Sequence, residues 1–345
     1  MIENKTVKGN PLKLNLQFFA TQTTLLNAPG NDLSPQMKTY YQDRLIDMAD
    51  PYLVHDQFGD KYPIPQGKGK VTEFRKFSPL DKALTTLTEG VTPAGNKLDV
   101  TTILAEVKPF GDFIEISDVL DLTAIDPILE QATKLLGSQA GRTLDTVTRE
   151  IITAGTNVMF APKSSGVANL TRADLDATSL LTVETIFKTV AKLNSMNARP
   201  ISDMYVGIVH PNVACDLMLS DKWWEAQKYA NPENIYKGEI GRIGNVRFVQ
   251  TTEAKIIARP PTDAGPVPSV YITMIIGMNA YGITDIAGGG LRHMVKQLGS
   301  GGTTDPLNQR ATTGWKALKT AVRLVEEYMV RVEHCCATNL MAPSN

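Results

Sequence analysis

The chain has 345 residues, 42% hydrophobic and 21% charged, with a formal net charge of -1. That composition is ordinary for a globular protein, and the length allows two or three domains or one body with long excursions. The balanced charge gives no global electrostatic case for binding DNA or an anionic membrane, and no run of 18 apolar residues is present to span a bilayer.

The first 60 residues carry turn signals rather than sustained periodicity. Residues 12–20 read Leu-Lys-Leu-Asn-Leu-Gln-Phe-Phe-Ala, where Lys13, Asn15 and Gln17 interrupt the apolar core that a signal peptide needs. Pro29-Gly30-Asn31-Asp32 is a turn or linker. A short helix is expected from Ser34 to about Met48, with Ser34 as N-cap and Pro35 at the first helical position.

Val71 to Phe77 is rich in β-branched and aromatic residues and reads as a strand, broken by Ser78-Pro79. Thr92-Pro93-Ala94-Gly95-Asn96 is a turn signal. Val100 to Val107 alternates Thr101, Ile103, Ala105 and Val107 against Val100, Thr102, Leu104 and Glu106, and Phe113 to Ser117 reads as another short strand after Pro109 and Gly111. Together these predict a long two-stranded excursion. Its threonine-rich tip from Leu84 to Val100 has too little apolar material for its own core, and a lone hairpin in water is marginal. Either the loop is mobile or another surface completes it; in a protein that assembles, that surface would be a neighbouring subunit.

The clearest helix follows. Asp126 suits the N-cap and Pro127 the first turn, and Ile128, Ala132, Leu135, Leu136, Ala140, Leu144, Val147 and Ile151 recur at spacings of three and four. Gly155 suits the stop. A helix of about 28 residues is roughly 42 Å long, well beyond the common length.

Residues 157–320 read as a mixed α/β body. A helix is expected over 180–197 with Val183, Ile186, Val190 and Leu193 inward, then a buried strand over 203–209. His210-Pro211-Asn212 opens a helix carrying Val213, Leu217 and Met218. Gly238, Gly241 and Gly244 punctuate a turn before a strand over 246–249, residues 258–266 form a proline-rich loop, and 270–277 is an apolar strand. Gly288-Gly289-Gly290 and residues 299–304 flank a short segment. Alternation of Tyr328, Val330, Val332 and His334 predicts a final strand beside the long helix.

Enzyme motifs are absent: there is no GxSxG, HExxH or GxxxxGK[ST]. The four histidines are scattered, and no nucleophile pattern accompanies His210. Cys215, Cys335 and Cys336 form no CxxC pair, and adjacent strand residues point to opposite faces. Trp223-Trp224 beside Lys222 and Lys228 is interleaved with Asp221 and Glu225, which favours amphipathic helix packing over a nucleic-acid surface. No catalytic residue, metal site or cofactor is expected.

One segment stands apart: Asp305-Pro306-Leu307-Asn308-Gln309-Arg310, then Gly314-Trp315-Lys316. With the Leu87-Thr88-Glu89-Gly90 loop, the Asp126-Pro127 helix carrying Arg142 and Asp145, and the Gly241-Arg242-Ile243-Gly244 turn before Val246-Arg247-Phe248, it resembles the N-four-type branch of tailed-bacteriophage major capsid proteins over roughly residues 65–335. The resemblance implies an α+β fold of the Hong Kong 97 type. It implies an N-terminal arm over 1–60, an extended loop and its base over 61–118, a peripheral domain of 119–156 with 321–345 including the spine helix, and an axial domain over 157–320. Self-assembly into hexamers and pentamers of an icosahedral shell around double-stranded DNA is the implied function. Scaffolding, portal and head-decoration proteins are the implied partners, with assembly in the bacterial host cytoplasm and residence in the virion.

The loop residues Leu87, Thr88, Glu89, Gly90, Pro93, Gly95 and Asn96 are then the expected intersubunit clamp. Lys82 and Lys97 lie where some relatives of this fold form crosslinks, but nothing in the sequence identifies an acceptor. Leu12 stands where many phage structural proteins of low-GC Gram-positive hosts have their opening methionine, so translation is expected to start there. A phage-derived nanocompartment shell or gene transfer particle, an α/β enzyme without a recognisable motif and a DNA-binding module are the alternatives.

Overall fold

The computed structural model describes residues 54–78, 80–84, 86–87, 89–92, 95–123, 128–223, 241–261, 266–300 and 305–345. The helix expected over 34–48, Asp126, Pro127, Trp224 and Gly238 lie outside them. In chain order the strands are β1 (Asp60–Lys61), β2 (Val71–Phe77), β3 (Val100–Glu106), β4 (Lys108–Ser117), β5 (Val158–Phe160), β6 (Tyr205–Val209), β7 (Gly241–Ile243), β8 (Val246–Gln250), β9 (Ile256–Ile257), β10 (Val270–Ile276), β11 (Tyr281–Asp285), β12 (Arg292–Lys296), β13 (Arg310–Arg323) and β14 (Met329–His334). The helices are α1 (Asp118–Thr123), α2 (Ile128–Thr153), α3 (Val183–Ser195) and α4 (Pro211–Met218). The chain forms two compact units, one of which takes in Phe113–Ala132 and Val295–Thr313 and the other Thr133–Met294 and Gly314–Asn345.

A seven-stranded sheet runs β5-β14-β10-β6-β8-β7, with β9 also on β10. Its central strands are apolar almost without interruption because both faces are covered. Successive residues point to opposite sides, and the core divides accordingly. Tyr205, Val209, Tyr271, Ile275, Val330 and Val332 pack with Ile186, Val190 and Leu193 of α3 and with Val213 and Leu217 of α4. Val206, Ile208, Ile272, Met274, Ile276 and Met329 pack on the other side with Ile152 and Tyr281.

Local signals account for the elements around this sheet. Thr182 caps α3 by accepting from the Thr185 amide at 3.3 Å, so the helix starts later than the expected 180. His210 caps α4 in the same way, its ring nitrogen accepting from the Asn212 amide at 3.2 Å. β7 and β8 are joined through Gly244 and Asn245, both at positive φ, which is the backbone of a type I′ hairpin turn.

A second sheet runs β1-β11-β13-β12, with β4 also pairing β13. β4 passes through Pro109 and Gly111, where a break was expected. Among the described residues it pairs only with β13, and an edge strand tolerates a proline. Gly111 is needed for the approach, since a Cβ there would meet the Trp315 carbonyl oxygen at 2.6 Å. The short helix α1 had no periodic signal; the Ser117 hydroxyl accepts from the Leu120 amide at 3.3 Å at its start.

Two expectations need correction. The final strand does touch the end of α2, through Arg331 and the Thr153 carbonyl. Its ladder, however, lies between β10 and β5 in the seven-stranded sheet. Sheet membership therefore cuts across the expected division of 157–320 from 321–345. β11, β12 and most of β13 leave the first sheet, and β14 rejoins it. Strand pairing is non-local, and apolar alternation fixes a strand's two faces without naming its neighbours.

The buried seam of α2 is also rotated from the expected one. Leu135 is 66% exposed, and Val147 and Ile151 are half-buried. Thr133, Asp145, Thr148, Arg149 and Thr153 are buried beside Ala132, Leu136, Ala140, Leu144 and Ile152.

Trp315 is 3% exposed, with its indole N–H donating to Gln139 Oε1 at 3.2 Å. Trp315→Ala should therefore destabilise the fold by about 3–5 kcal/mol in a urea unfolding titration; an unchanged midpoint would place the ring outside the core.

Candidate assembly surface

β2 and β3 form a two-stranded sheet of their own, in register from Val71 opposite Glu106 to Phe77 opposite Val100. Ile103 and Ala105 turn inward on β3 while Leu104 faces solvent. The ribbon is held at three points along its length. The Val107 amide donates to the Lys70 carbonyl at 2.9 Å. The Tyr62 and Phe74 rings meet edge to face at 5.1 Å. Lys76 Nζ donates to Glu327 Oε2 at 3.0 Å. The Lys70–Glu106 pair at 2.6 Å holds the Glu106 carboxyl below its usual range, through the lysine's hydrogen bond first and its charge second. Both groups are open to water, so the pair contributes little to stability.

Beyond the ribbon every described residue from Leu80 to Val100 is exposed. Leu84 is 84% and Leu87 77% exposed, and Leu80, Val91 and Leu98 are also exposed. The tip reads as polar in sequence, yet it presents a series of apolar side chains to solvent. Glu89, Gly90, Gly95 and Asn96 lie on the same exposed stretch, with Gly90 at φ +78°. Thr88 and Pro93 lie outside the described residues. Such a series of solvent-facing apolar side chains is a candidate interaction surface.

A groove of about 740 Å³ runs beside α2, lined by Phe110, Leu135, Val147 and Ile151, with Lys108 and the Arg142–Glu253 ion pair (2.7 Å) at its rim.

The Asp305–Lys316 segment is structural at every position described. Asp305 is buried, its carboxylate accepting from the Arg310 amide at 2.9 Å and its carbonyl from the Asn308 amide at 3.1 Å. Asn308 adopts positive φ in the turn between them. Pro306 and Leu307 are exposed on that turn, and the Gln309 carbonyl accepts from the Asp118 amide at 3.0 Å. Gly314 and Trp315 are buried on β13 and Lys316 is exposed. Sequence reasoning found this segment by resemblance alone; what it builds is a closed turn leading into a long strand.

Cys335, Cys336, His210 and Trp223 serve packing or capping. Cys335 and Cys336 belong to two different apolar clusters, as strand alternation predicts. Burial pushes their thiols up to about 11 and about 12, so neither is a thiolate at neutral pH. Burial lowers His210, the α4 cap. Trp223 is buried, tilted against Phe248 at 5.9 Å, in keeping with packing rather than base stacking. Among the described residues no group of three or more His, Cys, Asp or Glu is placed to hold a metal ion, and no helix is long and apolar enough to cross a membrane.

A family model described as phage capsid protein matches residues 123–259, under half of the chain. No curated protein sequence matches it. Solved structures match over nearly the whole length. The capsid of Ralstonia phage GP4 aligns over 97% of this chain and 98% of its own, at 13% identity and TM-score 0.63. The capsid of cyanophage Pam1 aligns over 92% and 98%, at 14% identity and TM-score 0.64. The capsid of cyanophage P-SCSP1u aligns over 96% and 100%, at 12% identity and TM-score 0.61. The chain has the Hong Kong 97 type capsid fold.

His334 makes the fold acid-sensitive. It is fully buried, with Nε2 2.9 Å from the Thr273 hydroxyl and Nδ1 2.9 Å from the Cys335 carbonyl oxygen. Desolvation lowers it from 6.5 to about 4. The native state therefore holds His334 neutral where the unfolded chain is protonated. The stability this contributes is complete above pH 6.5 and is lost as pH falls toward 4, amounting to about 3 kcal/mol. Urea midpoints at pH 7 and pH 4 should differ less for His334→Gln than for the parent; equal differences would remove His334 as the cause.

Proposed function

We propose that this chain is the major capsid protein of a tailed bacteriophage, assembling into hexamers and pentamers of an icosahedral shell around double-stranded DNA. The observation that carries the reading is the end-to-end correspondence with phage capsid chains, covering 97% of this chain and 98% of the Ralstonia phage capsid chain. In this reading the β2–β3 ribbon with its tip is the extended loop, α2 is the spine helix, and the seven-stranded sheet is the core of the axial domain. Residues 1–60 are the N-terminal arm. The finer placement in the N-four-type branch rests on the Asp305–Lys316 segment.

The exposed tip supplies the physical motive for assembly. Each apolar side chain removed from water contributes about 25 cal/mol per Å² of covered surface. Leu80, Leu84, Leu87, Val91 and Leu98 are uncovered in the single chain. In the assembled state they lie against a neighbouring subunit, a heterologous contact that closes into rings when the rotation between subunits closes. The near-zero net charge limits repulsion between copies. Packaged DNA is neutralised chiefly by small ions, so contact with the shell interior is non-specific. Scaffolding, portal and head-decoration proteins are further partners, with assembly in the host cytoplasm and residence in the virion.

Negative-stain electron microscopy of the purified chain, alone and co-expressed with its neighbouring genes, should show closed shells or rings of five or six. A monodisperse monomer in both preparations would refute the reading. Deleting Leu87 to Asn96 should leave the subunit folded, with an unchanged circular dichroism spectrum and melting curve, but without stable shells. Normal particles from that variant would remove the loop from the clamp.

A further inference from the structure

Residues 54–57 are held by polar contacts to three separate elements. The His55 amide donates to Asp145 Oδ1 at 2.8 Å, and its ring nitrogen Nδ1 lies 2.6 Å from Asp145 Oδ2. The Tyr281 hydroxyl donates to the His55 carbonyl. The Thr148 hydroxyl donates to Asp56 Oδ1 at 2.6 Å, and Lys319 Nζ donates to Asp56 Oδ2. Asp145 and Thr148 come from α2, Tyr281 from β11 and Lys319 from β13.

Lys319 is the member with an alternative. Its side chain is 7% exposed, and besides Asp56 it donates to the Leu144 carbonyl at 2.9 Å. Its cross-strand register partner on β11 is Asp285. The Asp285 carboxylate contributes to the field at the ammonium but makes no ion pair among the described residues. Asp56, Asp285, Lys61 and Lys319 all line one cavity of about 570 Å³. One ammonium thus shares this cavity with two carboxylates and is bonded to one of them, while the Asp145 carboxylate, held by His55, also acts on it from α2.

We propose that Lys319 is a two-position switch. Paired with Asp56 it latches residues 54–58 onto α2, and paired with Asp285 it releases them while its own charge stays neutralised. A nearly buried ammonium left without a counter-ion is strongly unfavourable, so a lysine with a single partner would hold the segment shut. The second carboxylate removes that penalty from the open state. The exchange needs only rotation about the flexible lysine stem. Release also frees Asp56, Thr148 and the His55–Asp145 contact, all of which regain hydrogen bonds from water, so the opening is local. His55, Asp145 and Lys61 are the other charged or titratable groups around the latch, and none of them replaces Asp285 as a carboxylate on the β11 strand. The switch concerns the folded chain itself and does not depend on the shell reading.

Hydrogen exchange of the full chain, followed by mass spectrometry over peptides containing residues 54–61, tests it. Asp285→Asn removes the released-state partner of Lys319 without touching the latch. It should slow exchange in 54–61 by roughly tenfold while leaving the thermal midpoint and the exchange of the seven-stranded sheet unchanged. Thr148→Val loosens the latch from the other side and should speed exchange in the same peptides. If Asp285→Asn leaves exchange in 54–61 unchanged or faster, or destabilises the whole chain, the switch is refuted. Thr148→Val then shows separately whether the segment opens as a unit.

Discussion

The structure turns on one helix that carries charge on its buried side. The seam of α2 contains Asp145, Thr148 and Arg149 with almost no exposure. Buried polar groups persist only when paired, and these are paired with segments distant in the chain. Asp145 takes His55, and Thr148 takes Asp56. Arg149 donates to the Glu253 carbonyl at 2.9 Å and to the Asn345 carbonyl oxygen at 2.9 Å. Between them, the Leu144 carbonyl receives Lys319 of β13. Apolar packing alone would allow α2 to slide or turn against its neighbours. These directional contacts fix its rotation, and with it the positions of the segment leading into β1, the loop after β8 and the end of the chain.

A second buried charge plays the same part in the other sheet. Glu333 on β14 is inaccessible to solvent and accepts a bidentate pair from Arg172 at 2.6 Å, with Arg331 at 2.9 Å. Arg259 then donates to the carbonyls of Arg172, Leu175 and Pro268 at 2.8–2.9 Å. This chain of guanidinium contacts closes the base of the proline-rich loop after β9, which composition alone left without a role. The body is thus rigidly specified while the β2–β3 ribbon is not. That ribbon is held along its length, and the apolar side chains described at its tip are exposed.

Much of this architecture was legible in the sequence because it depends on local periodicity. β2 matches the predicted strand end to end, α2 appears at nearly its predicted length, and the helix-opening signals at His210-Pro211 give α4. The apolar run at 270–276, interrupted only by Thr273, gives a strand buried at every position. What escaped the reading was the meaning of polar residues within an apolar pattern. Asp145 and Arg149 look like solvent-facing positions when only Leu144, Val147 and Ile151 are counted. Their burial follows from partners 90 to 196 positions away. The proposed clamp residues come from the opposite signal: a stretch between two strands with no way to make its own core.

The sequence by itself determined the elements and their faces, since hydrophobic spacing and capping act over a few residues. It also determined that no recognisable catalytic constellation is spelled out along the chain. The tertiary structure alone decided that β14 lies between β10 and β5, that β11 to β13 form a separate sheet, and that one lysine shares a cavity with two carboxylates. Those outcomes depend on which distant segments meet. Pairing over long separations is set by the combined fit of whole surfaces, a quantity that no short window of sequence contains.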